Sequence, residues 1–199
     1  MKTKFVPTLL LFSLSLFLSL AVTHVLRAGD VPDINLGYEQ SISSSESSQS
    51  IQFPDNYQKD FSHYATIECP NSGIVRQMYA NSTAIAAAKA EQNLPEGSVI
   101  VMETHTARRD ANKLSPVKLN NIFIRAKTDT SENNNSQNWQ SRWFSPSGSL
   151  VSDNENSCRS CHNRVKNRDY MFTLPQLVNS AKTNRLQYGQ TEFGLAVCR

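Results

Sequence analysis

Ser98-Val99-Ile100-Val101-Met102-Glu103-Thr104 is the stretch on which the fold turns. Val99, Ile100, Val101 and Thr104 are β-branched, a class that loses side-chain freedom in a helix but fits a pleated strand. Pro95-Glu96-Gly97 ahead of it has turn chemistry, so the chain enters this strand from a reversal. With a side-chain period of two, Met102 and Glu103 point to opposite faces unless a bulge intervenes.

Working outward, Gly73 to Tyr79, with Ile74, Val75 and Met78, predicts another strand. Leu119 to Lys127, centred on Ile122, Phe123 and Ile124, predicts a third, and Trp139 to Phe144 a fourth before the turn Ser145-Pro146-Ser147-Gly148. The polar stretch Asp129 to Ser136 is expected to be a hairpin loop. A helix is predicted from Thr83 to Glu91, with Asn81 or Ser82 as N-cap and alanines of high helix propensity behind it. Phe53-Pro54 is expected to open a short helix running toward His63. Strands in the middle and helices at both ends predict an α+β domain with an antiparallel sheet and flanking helices.

The 199-residue chain suits one such domain with a targeting segment and a linker. Lys2 and Lys4 precede an apolar stretch from Phe5 to Leu26, so residues 1–28 are a signal peptide or an N-terminal anchor. Cleavage after Ala21 or Ala28 fits a signal peptide; the length of the stretch also suits an anchor. Residues 29–52 form a Ser-rich linker, with Ser41 to Ser50 almost devoid of residues to bury. The domain is expected to occupy 53–199. Leaving out Lys2, Lys4 and Arg27, Lys+Arg falls from 20 to 17 and equals the 17 Asp+Glu. A neutral mature chain lacks the basic footprint of a nucleic-acid binder.

Four cysteines remain to be placed. Cys158-Arg159-Ser160-Cys161-His162 is a CxxCH motif, the spacing at which two thiols bond covalently to haem vinyl groups and the next imidazole ligates iron. A zinc site needs a second pair of ligands and a thioredoxin-like CxxC needs a βαβ setting; neither context is present. The expected cofactor is one covalent haem c, with His162 as iron ligand, in an exported or periplasmic protein. Cys69 and Cys198 are either a disulfide, which export permits, or two unpaired thiols. For the sixth coordination position the candidates are His63, His105, Met78, Met102 and Met171, all with ordinary surface or core readings as well.

Phe53-Pro54-Asp55-Asn56-Tyr57, Tyr79-Ala80-Asn81, Leu94 through Glu103, Asn138-Trp139, the CxxCH motif and Arg168-Asp169-Tyr170-Met171-Phe172-Thr173 occur in the order seen in the cytochrome P460 family. Over roughly Phe53 to Leu177 the chain resembles that family. The resemblance implies an antiparallel β-rich domain, commonly dimeric, holding a five-coordinate haem with a vacant distal side. Some members oxidise hydroxylamine; the branch similar to cytochrome c′-beta binds nitric oxide or carbon monoxide in an apolar pocket lined by phenylalanines. The enzymes depend on a lysine crosslinked to the haem, and the residue at that position here is Met102, whose thioether cannot form a lysyl bond.

Three further residues are candidates beside the haem. If the Gln140, Arg142, Phe144 face of its strand meets the haem, Phe144 walls the distal pocket and Arg142 bonds a propionate or a ligand. On the other reading Trp139 and Trp143 fill the core and Arg142 is solvated. Glu155, in the loop before the motif, is either solvated or a distal proton acceptor. The function expected is binding of hydroxylamine, nitric oxide or carbon monoxide with electron exchange to a redox partner protein. A six-coordinate electron carrier without substrate chemistry is the other reading.

Overall fold

The structure, a computed structural model, describes residues 51–111, 113–128 and 138–189. The expected signal peptide or anchor, nearly all of the expected Ser-rich linker, the expected hairpin loop and Cys198 lie outside the described residues. The strand that opens the sequence reading extends over Val99–Asp110 (β3), and it pairs along its length with Lys113–Lys127 (β4). Both are longer than their apolar cores. Arg108-Arg109-Asp110 and Lys113 continue the ladder as exposed side chains, which hydrogen bonding allows and a hydrophobic pattern does not signal.

Ile74–Ala80 (β2) flanks β3 on the other side and Trp139–Phe144 (β5) flanks β4. Ser62–Cys69 (β1) pairs with β2, Leu150–Ser152 (β6) with β5, and Gln187–Gly189 (β7) runs parallel to β1. The sheet order is β6-β5-β4-β3-β2-β1-β7, antiparallel except for that last pair. The fold is thus α+β with a seven-stranded, mostly antiparallel sheet. Gly97, at φ +80, supplies the left-handed turn into β3, with Ser98 N donating to Pro95 O at 3.1 Å.

The helix expected to run to His63 stops earlier. Tyr57–Asp60 (α1) is a single turn, and Tyr64, Thr66 and Ile67 favour the strand that carries His63. Ser82–Lys89 (α2) forms where alanines predict it, with the Asn81 side chain accepting from Ala84 N at 3.1 Å. Leu174–Thr183 (α4) covers the same sheet face as α2, and Tyr64, Ile67, Leu94, Ile100, Trp139 and Leu177 fill the core between. Tyr57, Tyr79, Val101, Ile122 and Phe144 form a second apolar cluster, against which Ile51, Phe53 and Phe61 pack.

Two charged groups are buried in this frame. Lys127 Nζ bonds Asp169 Oδ1 and Oδ2 at 2.7 and 2.9 Å, with both side chains no more than 2 % exposed. Leu94 N and Trp139 Nε1 donate to the same carboxylate. Glu103 is fully buried and accepts from Tyr57 Oη, Gln58 Nε2 and His105 Nε2 at 2.5, 2.5 and 2.7 Å. Burial alone raises its carboxyl pKa, but the His105, Tyr57 and Gln58 donors outweigh it and hold it below the usual carboxylate range.

Two predictions follow from these groups. Lys127→Met strands a buried carboxylate and is expected to cost about 3–5 kcal/mol in denaturant unfolding; a loss near zero denies the pair its structural part. For Glu103 the folded pKa lies below the unfolded one, so its contribution is complete above the ordinary value near 4.5 and is lost as pH falls through the folded value. Urea midpoints measured down that acid range are expected to fall in the parent and to fall less steeply in Glu103→Gln.

Candidate haem site

Glu155 does not lie in a loop ahead of the CxxCH motif but opens the helix that carries it. Glu155–His162 forms a helix (α3), capped by the Asn154 side chain accepting from Asn156 N at 3.2 Å. Glu155 in the first turn and Arg159 in the last match the helix dipole. Cys158 and Cys161, three residues apart, share one helix face; both are free thiols and half-buried. Beyond α3 the 3-10 segment Asn163–Arg168 ends in two consecutive left-handed residues, Asp169 at φ +51 and Tyr170 at φ +59. Each costs about 1–2 kcal/mol in a non-glycine residue, and the Asp169 bonds to Lys127, Leu94 and Trp139 hold the turn.

That turn aims the Tyr170 carbonyl at the histidine, whose Nδ1 lies 2.6 Å from it. A carbonyl can only accept, so Nδ1 carries the proton and Nε2 the lone pair. Nε2 takes no hydrogen bond among the described residues, and His162 lines a cleft. Burial, with the Arg125 charge second, lowers the His162 pKa to about 3 and keeps the ring neutral. Phe172 packs edge-on to the ring, 5.2 Å between centroids.

The cleft has an empty volume of about 1000 Å³ including its open mouth. Its floor is one sheet face. Met78 of β2 stands beside Met102 of β3, which stands beside Phe123 of β4; Ile100 pairs with Arg125. Met171, Phe172 and Cys161 line it from the motif side. Arg76 Nη1 lies 3.6 Å from the Met102 sulfur. The site fits a c-type haem: an apolar floor for a porphyrin, two free thiols on one helix face, a neutral imidazole with an open nitrogen, and guanidiniums suited to propionates.

The candidates from sequence divide. Cys161, His162, Met102 and Arg142 line the cleft, with Cys158 one turn away on α3. Phe144 does not; it packs on Phe53, ring centroids 5.3 Å apart, in the second cluster. Strand alternation puts Ser141 on the face of Arg125 and Phe144 on the other; Arg142, which shares the Phe144 side, still lines the cleft. Arg142 is not solvated as the ordinary reading had it: its Nη1 bonds Ser141 O at 2.9 Å and the Glu155 carboxylate. Glu155 also accepts from Arg159 Nη2 at 2.7 Å, so it is committed to two cations. Met102 faces the cleft while Glu103 is buried against Tyr57 and Tyr79, as alternation requires.

Met78 and Met171 also line the cleft, whereas His63 stacks on Tyr79 and His105 bonds Glu103. Sequence reasoning missed Arg76, Arg125 and the Tyr170 carbonyl. Alternation along β4 carries a partial signal, since Phe123, Arg125 and Lys127 fall on one side, but their partner is 37 residues further on in the case of Arg125 and His162. No lysine lines the cleft among the described residues.

The profile of the cytochrome P460 family matches residues 54–173, more than half of the chain. No curated protein matches the chain.

The Arg142–Glu155 pair ties α3 to β5, and Glu155→Ala removes the carboxylate that Arg142 bonds, leaving it the Ser141 carbonyl. The expected loss is about 1–3 kcal/mol. A double-mutant cycle with Arg142→Ala is expected to return a coupling of about 1 kcal/mol in chemical denaturation, and zero coupling contradicts the tie.

Proposed function

Because the chain belongs to the cytochrome P460 family, and is therefore a c-type haem cytochrome, we propose that it is an exported protein with one open-sited haem that binds a small ligand and exchanges electrons. Cys158 and Cys161 hold the haem covalently and His162 is the proximal ligand. The observation that carries this is the His162 arrangement: Nδ1 is taken by the Tyr170 carbonyl, and Nε2, on a residue that lines the cleft, has no hydrogen-bond partner among the described residues. When bound, the haem supplies an iron that cycles between ferric and ferrous states and exchanges small ligands.

The chain's own residues then divide the work. Tyr170 fixes the imidazole tautomer, and Phe172 holds the ring plane. Met78, Met102 and Phe123 present an apolar surface suited to a diatomic ligand or hydroxylamine, with Arg76 as the donor beside them. Arg142 is held by Glu155 at the cleft as a propionate partner. Glu155, bound to Arg142 and Arg159, is a holder of arginines rather than a free base.

Met102 stands where the family resemblance implies the crosslinked lysine, and the buried Lys127 amine is committed to Asp169. Ligand binding with electron exchange is therefore favoured over hydroxylamine turnover. Export is supported by Cys69, which is disulfide-bonded; its expected partner, Cys198, lies outside the described residues. A homodimer and a separate redox partner belong to the same proposal. One observation favours a second reading. Met78, Met102 and Met171 all line the cleft, and a thioether from any of them completes a six-coordinate electron carrier.

Protein matured with the haem-attachment machinery is expected to carry one haem by intact mass, and Cys158→Ala with Cys161→Ala to lose it. Its ferrous spectrum is expected to be high-spin and to shift on adding carbon monoxide. A low-spin spectrum indifferent to carbon monoxide sinks the open site in favour of the thioether reading. A ferrous band far to the red of ordinary haem c overturns the assignment of Met102 by requiring a crosslink.

A further inference from the structure

The Tyr170 carbonyl serves two donors at once. His162 Nδ1 lies 2.6 Å from it and Arg125 Nη1 2.7 Å. The oxygen has two lone pairs and no proton to give, so both groups donate to it. The guanidinium is the charged donor, and charge-assisted bonds are roughly twice as strong as neutral ones. An acceptor already polarised by Arg125 pulls less on the imidazole N–H, and the ring pushes correspondingly less electron density to Nε2.

Rigid structure sets this sharing. Arg125 is half-buried on the central strand β4, with its guanidinium 5.1 Å from the Trp139 ring centroid and its Nε without a partner among the described residues. Burial lowers its pKa to about 10, which still leaves it a cation at neutral pH. The carbonyl is fixed from the other side by the left-handed Asp169-Tyr170 turn and the Lys127–Asp169 pair. Lys127 and Arg125 stand two residues apart on the same strand face, so one strand holds the turn and loads the carbonyl.

We infer that Arg125 is a positioning residue that limits how strongly His162 donates through Nε2, by sharing the Tyr170 carbonyl. This rests on His162 as the axial ligand. The direction follows from ligand chemistry: a stronger axial donor and the loss of a nearby cation both favour the ferric state.

The test uses the full-length matured holoprotein with Arg125→Leu, which removes donor and charge, and Arg125→Gln, which keeps a neutral donor. Two readouts are taken, the iron–histidine stretching band of the ferrous protein by resonance Raman and the midpoint potential. Arg125→Leu is expected to move the band to higher frequency and to shift the ferric/ferrous equilibrium about tenfold toward ferric, about 59 mV for one electron. Arg125→Gln is expected to shift both the same way by less, and it decides the matter alone if the leucine variant does not fold. A band that stays in place or moves down in the variants overturns the inference while His162 ligation stands. Absence of the band in the unsubstituted protein contradicts five-coordinate ligation by His162, and the inference falls with it.

Discussion

Lys127 and Asp169 meet out of reach of water, and an ion pair so placed holds only when further donors satisfy the carboxylate. Leu94 N and Trp139 Nε1 provide them. The pair joins the end of a central strand to the segment that follows the CxxCH motif, and it does so where the backbone takes two left-handed steps without glycine. Strain of that kind persists when surrounding contacts over-determine it. The product is a carbonyl aimed at an imidazole.

From that carbonyl the geometry of the cleft follows. His162 is held neutral, with one nitrogen occupied and the other open. Cys158 and Cys161 stand on the same short helix, and the sheet supplies a floor of thioethers, aromatic surface and guanidiniums. The opposite sheet face carries a different polar centre, Glu103 with Tyr57, Gln58 and His105. Alternation along β3 keeps the two apart, placing Met102 in the cleft and Glu103 behind it. A haem held in this cleft would meet a thioether, a soft ligand that lacks the amine a lysyl crosslink needs.

Much of this frame was legible from residues alone. Three strands declared themselves through β-branched residues and β5 through the turn that follows it, α2 through alanines behind Asn81, and the haem motif through its spacing. β1 was hidden because Phe53-Pro54 signals a helix whose end, at Asp60, carries no breaker before Ser62. β6 and β7 are three residues each, too short for any periodicity. At the site, the motif and Met102 were accessible, and Phe144 was misplaced because a strand's faces are equivalent until its partners are known. Arg125 was missed for a related reason: its value comes from a carbonyl 45 residues away, and backbone groups leave no trace in a sequence pattern.

In the proposed function His162 Nε2 would hold the iron, between α3 and the sheet face bearing Met78 and Met102. Diffraction from crystals of the matured protein, collected across the iron absorption edge, tests it most directly. The account predicts one anomalous peak per chain, bonded to His162 Nε2 and lying over Met102. A peak on the opposite sheet face beside His63 or His105, or none within reach of His162, would contradict it.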